Sequence, residues 1–288
     1  MNRHWLPGSG LTFNPAIVMA VILMRMRLIF MLVLVCTTGA VGQTLEEARQ
    51  HIEAMYWMTE QYPPYNYRDE ADGQIKGIAV DILMEMFRKI GVQKTREDLE
   101  ILPWPRSYKY LLERPGTALF STTYTVERLQ HFKFVGPIMP TRISVIAPKS
   151  RQLKITSIED MNALRIGAIR DDIGEQLIRA LGVQDQAIQL NDSAYSLARM
   201  LERDRLDAIA YAEDIAKYQF KLAGVDLSDY ETVYVLGSSH TGYAFHKSTD
   251  PRVLEPLRKA LDELRADGTV DRIHARYLNQ ALLRKQGK

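Results

Sequence analysis

The sequence predicts an α/β protein in which helices cover a largely parallel sheet. Three observations carry that expectation. From Ala54 onward, short apolar runs of strand type alternate with stretches of helical periodicity. The helical stretches are punctuated by stop and start signals such as Gly91, Gly182 and Ser157. No fixed-period repeat, low-complexity tract or long Pro/Gly/Ser linker separates independent domains. Two lobes, if present, must therefore share short crossing segments. Pro137–Thr141 and Leu236–Thr241 are the candidates, because both break the alternation at turn-rich points.

Ala54–Met58 is strand-like, and Trp57 on it belongs to the core. Ile78, Ile82, Leu83, Met86, Phe87 and Ile90 fall on one helical face that stops at Gly91. Leu99–Leu102 is a short strand, Ser107–Glu113 a helix, and Ala118–Thr122 a strand. Trp104 falls in the loop between the first two of these. Ile143–Ala147 is rich in β-formers. Ser157-Ile158-Glu159-Asp160 reads as a capped helix start. Ile166–Ile169, Ala187–Leu190 and Ala208–Ala212 are strands, alternating with helices over Ile173–Leu181, Ser193–Glu202 and Glu213–Leu222. Val233–Leu236 and Tyr243–His246 are expected as two separate strands. Asp250-Pro251 is an N-cap and first-turn pair opening a long helix to about Asp267. Gly268-Thr269 then restarts a last helix to about Asn279.

Bulk properties exclude several classes. The 288 residues are 46% hydrophobic and 25% charged, the balance of a globular protein. Residues 1–42 carry Arg3, Arg25 and Arg27 and no acid, so the remaining 34 Lys and Arg face 35 Asp and Glu. A near-neutral body gives no reason to expect nucleic acid as partner. Residues 1–42 read as a signal peptide: basic Arg25 and Arg27, apolar Leu28 to Val35, then small Ala40 and Gly42 before Gln43. Either translation starts at Met24 or Met26, or Ala16–Val35 is a long signal or anchor. The anchor must hold two arginines at mid-membrane, at about 2.5–3.5 kcal/mol each. Cys36 is the only cysteine, and cleavage after Gly42 removes it. The mature chain then has neither disulfides nor thiol chemistry, which suits a bacterial periplasm.

Two stretches carry the chemistry. Tyr62-Pro63-Pro64-Tyr65 is a stiff turn, because two prolines fix φ, and it holds Tyr62 and Tyr65 as an aromatic wall. Ser121-Thr122-Thr123 ends an apolar strand, Thr125 is placed to cap a short helix, and Arg128 lies one turn on. Hydroxyls, free amides and a guanidinium converge there and suit a carboxylate, which arginine binds through two parallel bonds. Trp104 is a second stacking candidate. The histidines show no metal spacing, and there is no zinc-type cluster, phosphate loop or nucleophile elbow. No cofactor is expected.

Together with Gly77-x-x-Val80-Asp81-Ile82 and the C-terminal Leu261-x-x-Leu264-x-x-Asp267-Gly268-Thr269-x-x-x-Ile273-x-x-x-Tyr277, these residues resemble the bacterial solute-binding proteins of family 3. Those are the polar-amino-acid-binding components of ABC importers. The likeness covers about residues 53 to 280. It implies a periplasmic-binding-protein-like fold of type II, with two α/β lobes joined by two crossover strands. Residues 43–139 plus 242–288 would form one lobe and 140–241 the other. It also implies that Tyr62 stacks on the ligand, that Ser121 and Thr123 donate to its carboxylate, and that Arg128 clamps it.

This chain departs from the family pattern in two places. Where a Gly is usually followed by Ser or Thr at a helix N-terminus, Gly167-Ala168-Ile169-Arg170 leads to Asp171-Asp172. Asp172 then caps the helix while Arg170 neutralises the site, or both acids repel a carboxylate. Where the family places an acid for the ligand's ammonium, Ala212 stands instead; either Glu213 substitutes after a small shift or the ammonium site is absent. The expected protein is an exported monomer without enzymatic activity. It takes a small polar solute to a membrane permease of an ABC importer, or to a sensor. The runner-up is an enzyme on the same scaffold, of the cyclohexadienyl dehydratase kind, with the extra carboxylates as its working groups.

Overall fold

The computed structural model describes residues 45–286. The chain divides into Met1–Glu47 and Ala48–Lys288; only 45–47 of the first unit are described, and they are helical. The expected signal peptide lies outside the described residues. All the described strands belong to the second unit.

Strands β1 (Tyr56–Thr59), β4 (Leu99–Ile101) and β5 (Thr117–Thr123) form one parallel group, and β7 (Ile166–Ile169), β8 (Ile188–Asn191) and β9 (Ala208–Ala212) form another. Between the groups run β6 (Phe132–Pro148) and β10 (Tyr230–His246), each 17 residues long and antiparallel to each other. The resulting order is β4-β1-β5-β10-β6-β9-β7-β8. Two α/β halves are thus joined by two crossover strands. Beside them, β2 (Tyr67–Arg68) and β3 (Ile75–Lys76) form a small hairpin.

The expected crossing segments fall inside β6 and β10 and pair directly, Thr141 opposite Ser239 and Pro140 opposite His240. One expectation is corrected here: Val233–Leu236 and Tyr243–His246 are one strand. The β-rich Ile143–Ala147 lies near the end of β6. Long pairing survives the glycines at 237 and 242 because the register shifts close to each of them.

Helix α1 (45–54) precedes β1, burying Ala48 and Ile52. Helix α2 (Ile78–Ile90) buries one apolar face and ends at left-handed Gly91. Helix α3 (Trp104–Glu113) begins three residues before the expected start, with Pro105 in its first turn, where a missing amide costs nothing. Trp104 therefore opens a helix and does not sit in a loop. In α4 (Val126–His131) the Thr125 hydroxyl accepts from Arg128 N, as the cap pattern predicts. Ser157 caps α5 (Ile158–Asn162) with a reciprocal bond from Asp160, and Ser193 caps α7 (Ala194–Glu202). Helices α6 (Ile173–Ala180) and α8 (Glu213–Leu222) match expectation within one residue. Asp250 caps α9 (Pro251–Ala266), and α10 (Thr269–Gln286) comes after it.

Separate cores back the two sheet groups. Trp57, Phe87, Tyr243, Phe245 and Leu257 pack under β1 and β5, and Val145, Ile166, Ile178 and Ala208 under β7 and β9. A third cluster runs from one half to the other through Met58, Tyr62, Trp104, Tyr108, Ile169 and Tyr211. That continuity places the site.

Candidate ligand-binding site

The aromatic turn is held by the start of α2. Tyr62 N donates to Asn66 O at 2.7 Å, which closes the turn. The first helical amides, Ile78 N and Ala79 N, donate to Pro64 O and Tyr65 O at 3.1 and 2.9 Å. Gly77 makes this approach possible: a Cβ there would lie 2.3 Å from Tyr65 O. Its own amide donates to Tyr277 Oη at 3.0 Å, and that hydroxyl donates to buried Asp81 at 2.9 Å. Tyr62 is consequently fixed and buried, its ring 5.9 Å from that of Tyr65. Tyr65 is half-buried, and burial, reinforced by the Asp214 charge, pushes its phenol up to about 12.

The hydroxyl row is more occupied than its sequence suggests. Ser121 adopts a left-handed backbone, φ 62°, and its hydroxyl donates to Asn66 Oδ1, tying β5 to the aromatic turn. Thr123 is buried and offers its carbonyl to Arg128 Nη1 at 3.4 Å. Arg128 is 0% exposed, and its guanidinium carbon lies 5.2 Å from the Trp104 ring and 5.3 Å from that of Tyr108. Trp104, expected as a wall against ligand, instead packs on the arginine. Its Nε1 donates at 3.0 Å to Asp171 O in the other half, and Arg128 Nη2 reaches the same carbonyl at 3.3 Å. Arg128 Nε has no acceptor among the described residues, although it is buried.

The acids of the other half separate into different roles. Asp171 has φ 59°, an exposed side chain and an amide that donates to Glu175 at 2.6 Å; it meets the site through its carbonyl. Arg170 is half-exposed and spends its guanidinium on Asp192 at 3.5 Å. Asp172 stands at the N-cap of α6 but makes no side-chain cap bond, and it is buried. Burial raises its carboxyl above the ordinary value, with the Arg128 charge opposing the shift. Glu213 is already spent: one carboxylate oxygen accepts from Ser144 at 2.6 Å and Thr232 at 2.9 Å, with Arg142 at 3.2 Å. It closes the seam between β6, β10 and α8, and is no stand-in for an acid at Ala212.

Sequence reasoning missed Glu60 and Tyr211. Glu60 comes directly after β1 and is half-buried; burial, then the nearby Asp172 charge, drives its carboxyl well above the ordinary range. An acid closing a buried strand two residues before the aromatic wall was the available signal. Tyr211 is 1% exposed on β9, its ring 6.2 Å from that of Tyr62 and nearly perpendicular to it. Its hydroxyl is buried and has no partner among the described residues. A tyrosine set between alanines 210 and 212 was the signal there.

The space between the halves thus holds one guanidinium, two carboxylates and two tyrosines. Two bonds cross between the halves, Trp104 Nε1 to Asp171 O at 3.0 Å and Gln219 Nε2 to Gln61 O at 2.9 Å. No cluster of three metal-ligating side chains occurs among the described residues. His246, on the crossover strand β10, pairs with Ser248 at 2.7 Å.

Two halves on crossover strands, closing on a polar site, define a two-lobed solute-binding protein. Residues 55–280 match the family described as bacterial extracellular solute-binding proteins, family 3, and the chain belongs to that family. It is similar to a probable histidine-binding protein of Neisseria gonorrhoeae, 24% identical over 75% of this chain and 80% of the relative. It is also similar to the lysine/arginine/ornithine-binding periplasmic protein of Escherichia coli strain K12, 25% identical over 76% of this chain and 84% of that one. Among solved structures, it resembles the substrate-binding protein of an ABC uptake transporter from Streptococcus pneumoniae with bound histidine. That match has a TM-score of 0.69 at 18% identity, covers 81% of this chain and 95% of the other, and speaks for the fold. Family and relatives are named as binding proteins and not as enzymes.

Proposed function

We propose that this protein captures a cationic amino acid between its halves and delivers it to the permease of an ABC importer. The carrying observation is the charge balance of the site. Arg128, with an unused buried Nε, faces Glu60 and Asp172, two carboxylates against one guanidinium. A ligand with one carboxylate and two cationic groups brings the opposite excess. Its carboxylate meets Arg128, and its cations meet Asp172 and Glu60. Tyr62 then covers the aliphatic stem. Histidine-, lysine-, arginine- and ornithine-binding relatives support this class of ligand.

In this reading 43–139 plus 242–288 form one lobe and 140–241 the other. Residues 1–42 direct export to the periplasm, where one relative is named as residing. The protein works as a monomer, and its closed surface is what the permease recognises. Melting curves of residues 43–288 with lysine, arginine, ornithine, histidine, glutamate and leucine test the proposal. A cationic ligand at about 100 times its Kd stabilises by ~2.7 kcal/mol, a rise of a few degrees. Stabilisation by glutamate or leucine and not by the cationic four would overturn it.

A further inference from the structure

The geometry of Tyr211 singles it out. It lies on β9, one residue before the alanine that stands where an acid was expected. Alternation along the strand turns it away from Ala208 and Ala210, which belong to a different core, and toward Tyr62 across the cleft. Its side chain is almost wholly enclosed, yet its hydroxyl bonds to nothing among the described residues. Buried hydroxyls are normally paired, so an orphan aimed into a cleft asks for a partner that arrives from outside.

The surroundings indicate which partner. Glu60, Tyr62 and Asp172 all act on the Tyr211 phenol, in that order, and with burial as the largest cause they push it well above its ordinary value. It therefore stays a neutral hydroxyl that can accept from a cation through its oxygen. Its ring faces that of Tyr62 across the cleft, so a ligand lying against Tyr62 brings its groups to the Tyr211 hydroxyl.

We infer that the Tyr211 hydroxyl, together with Glu60, binds the side-chain cation of the ligand, so that the second half contributes a neutral acceptor to that end of the molecule. This rests on the cationic-amino-acid reading and deepens it. A neutral phenol beside one carboxylate accepts a diffuse or a compact cation without a third buried charge.

Lysine and norleucine, which share a carbon skeleton and differ by the terminal ammonium, separate the contact from a packing role. Affinities for wild type and Tyr211→Phe would be measured by calorimetry for lysine and by competition for norleucine. The expected result is a lysine affinity about tenfold lower in Tyr211→Phe, with norleucine unchanged. The unliganded variant should melt no lower than wild type, since no intramolecular bond is lost. Equal loss for both ligands, no loss for lysine, or a lower melting point of the unliganded variant would each overturn the assignment. Wild type that binds none of lysine, arginine, ornithine and histidine would sink the cationic reading and this contact with it. Wild type that binds lysine alongside an unaffected Tyr211→Phe sinks the contact alone.

Discussion

Trp104 Nε1 donates to the carbonyl of Asp171 at 3.0 Å, joining the first turn of α3 to the loop before α6 across the cleft. The same carbonyl receives Arg128 Nη2, and the indole lies against that guanidinium. One backbone oxygen therefore holds both the arginine and the ring that supports it. The left-handed backbone of Asp171, φ 59°, accompanies this arrangement while its carboxylate is left outside. Trp104→Phe keeps an aromatic face but loses the bond, and should weaken ligand binding by about 1 kcal/mol. Asp171→Asn tolerates the left-handed conformation and keeps the carbonyl, so it should cost less than Trp104→Phe. Titration calorimetry on both variants checks the order; a larger loss in Asp171→Asn would show that the carboxylate, not the carbonyl, matters.

Arg128 carries the largest single effect. It is fully buried between Trp104 and Tyr108, with Nε reserved. Arg128→Ala should weaken any carboxylate ligand by ~2–5 kcal/mol, the range for truncating one partner of a buried charged pair. Arg128→Lys should not restore it, because an ammonium cannot reproduce the planar fork. Wild-type affinity in either variant would place the ligand's carboxylate elsewhere.

Affinity should rise with pH. The Glu60 and Asp172 carboxyls both titrate above their ordinary values in the unliganded fold, chiefly through burial. A bound cation favours their ionised forms, so binding releases protons. The affinity for lysine should fall as pH drops through the raised values and the two carboxylates take up protons. Stability of the unliganded protein runs the opposite way. Groups with raised folded-state values contribute stability below the unfolded value, and this is lost as pH rises through the folded one. Calorimetry in buffers of different ionisation enthalpy counts the protons released. Affinity independent of pH from about 4 to 8 would remove both acids from the cation site.

Local signals in the chain made most elements legible, because caps and stops act over one turn. Thr125, Ser157, Ser193, Gly91 and the Asp250-Pro251 pair all sit at the ends they predict. The length of β6 and β10 was not legible, since Gly237 and Gly242 look like breaks until a partner strand carries the register past them. In the site, Arg128 and Tyr62 could be singled out from short-range pattern. The fates of Glu213, Glu60 and Tyr211 depend on contacts far apart in sequence. Ser144 and Thr232 claim the first, Tyr211 faces Tyr62 across the cleft, and Glu60 is set by burial and by the Asp172 charge. Glu213→Gln should accordingly lower the melting point and leave lysine affinity unchanged.

Gly77 offers a last test of how the aromatic wall is held. A methyl group there would press on Tyr65 C and O at 2.4 and 2.3 Å, and φ 133° is closed to other residues. The clash is with backbone, so the turn bearing Tyr62 and Tyr65 must move away from the start of α2. Gly77→Ala should therefore lower stability by about 1–3 kcal/mol or more and lower ligand affinity as well. Gly73, in the hairpin between β2 and β3, is the control: its φ is 71° and a methyl group would meet nothing within 4 Å. Gly73→Ala should cost about 1–2 kcal/mol of stability through backbone strain alone and leave affinity intact. Urea midpoints paired with lysine titrations distinguish the two. If Gly77→Ala lost stability while binding lysine normally, the wall formed by Tyr62 and Tyr65 would not be the surface that the ligand meets.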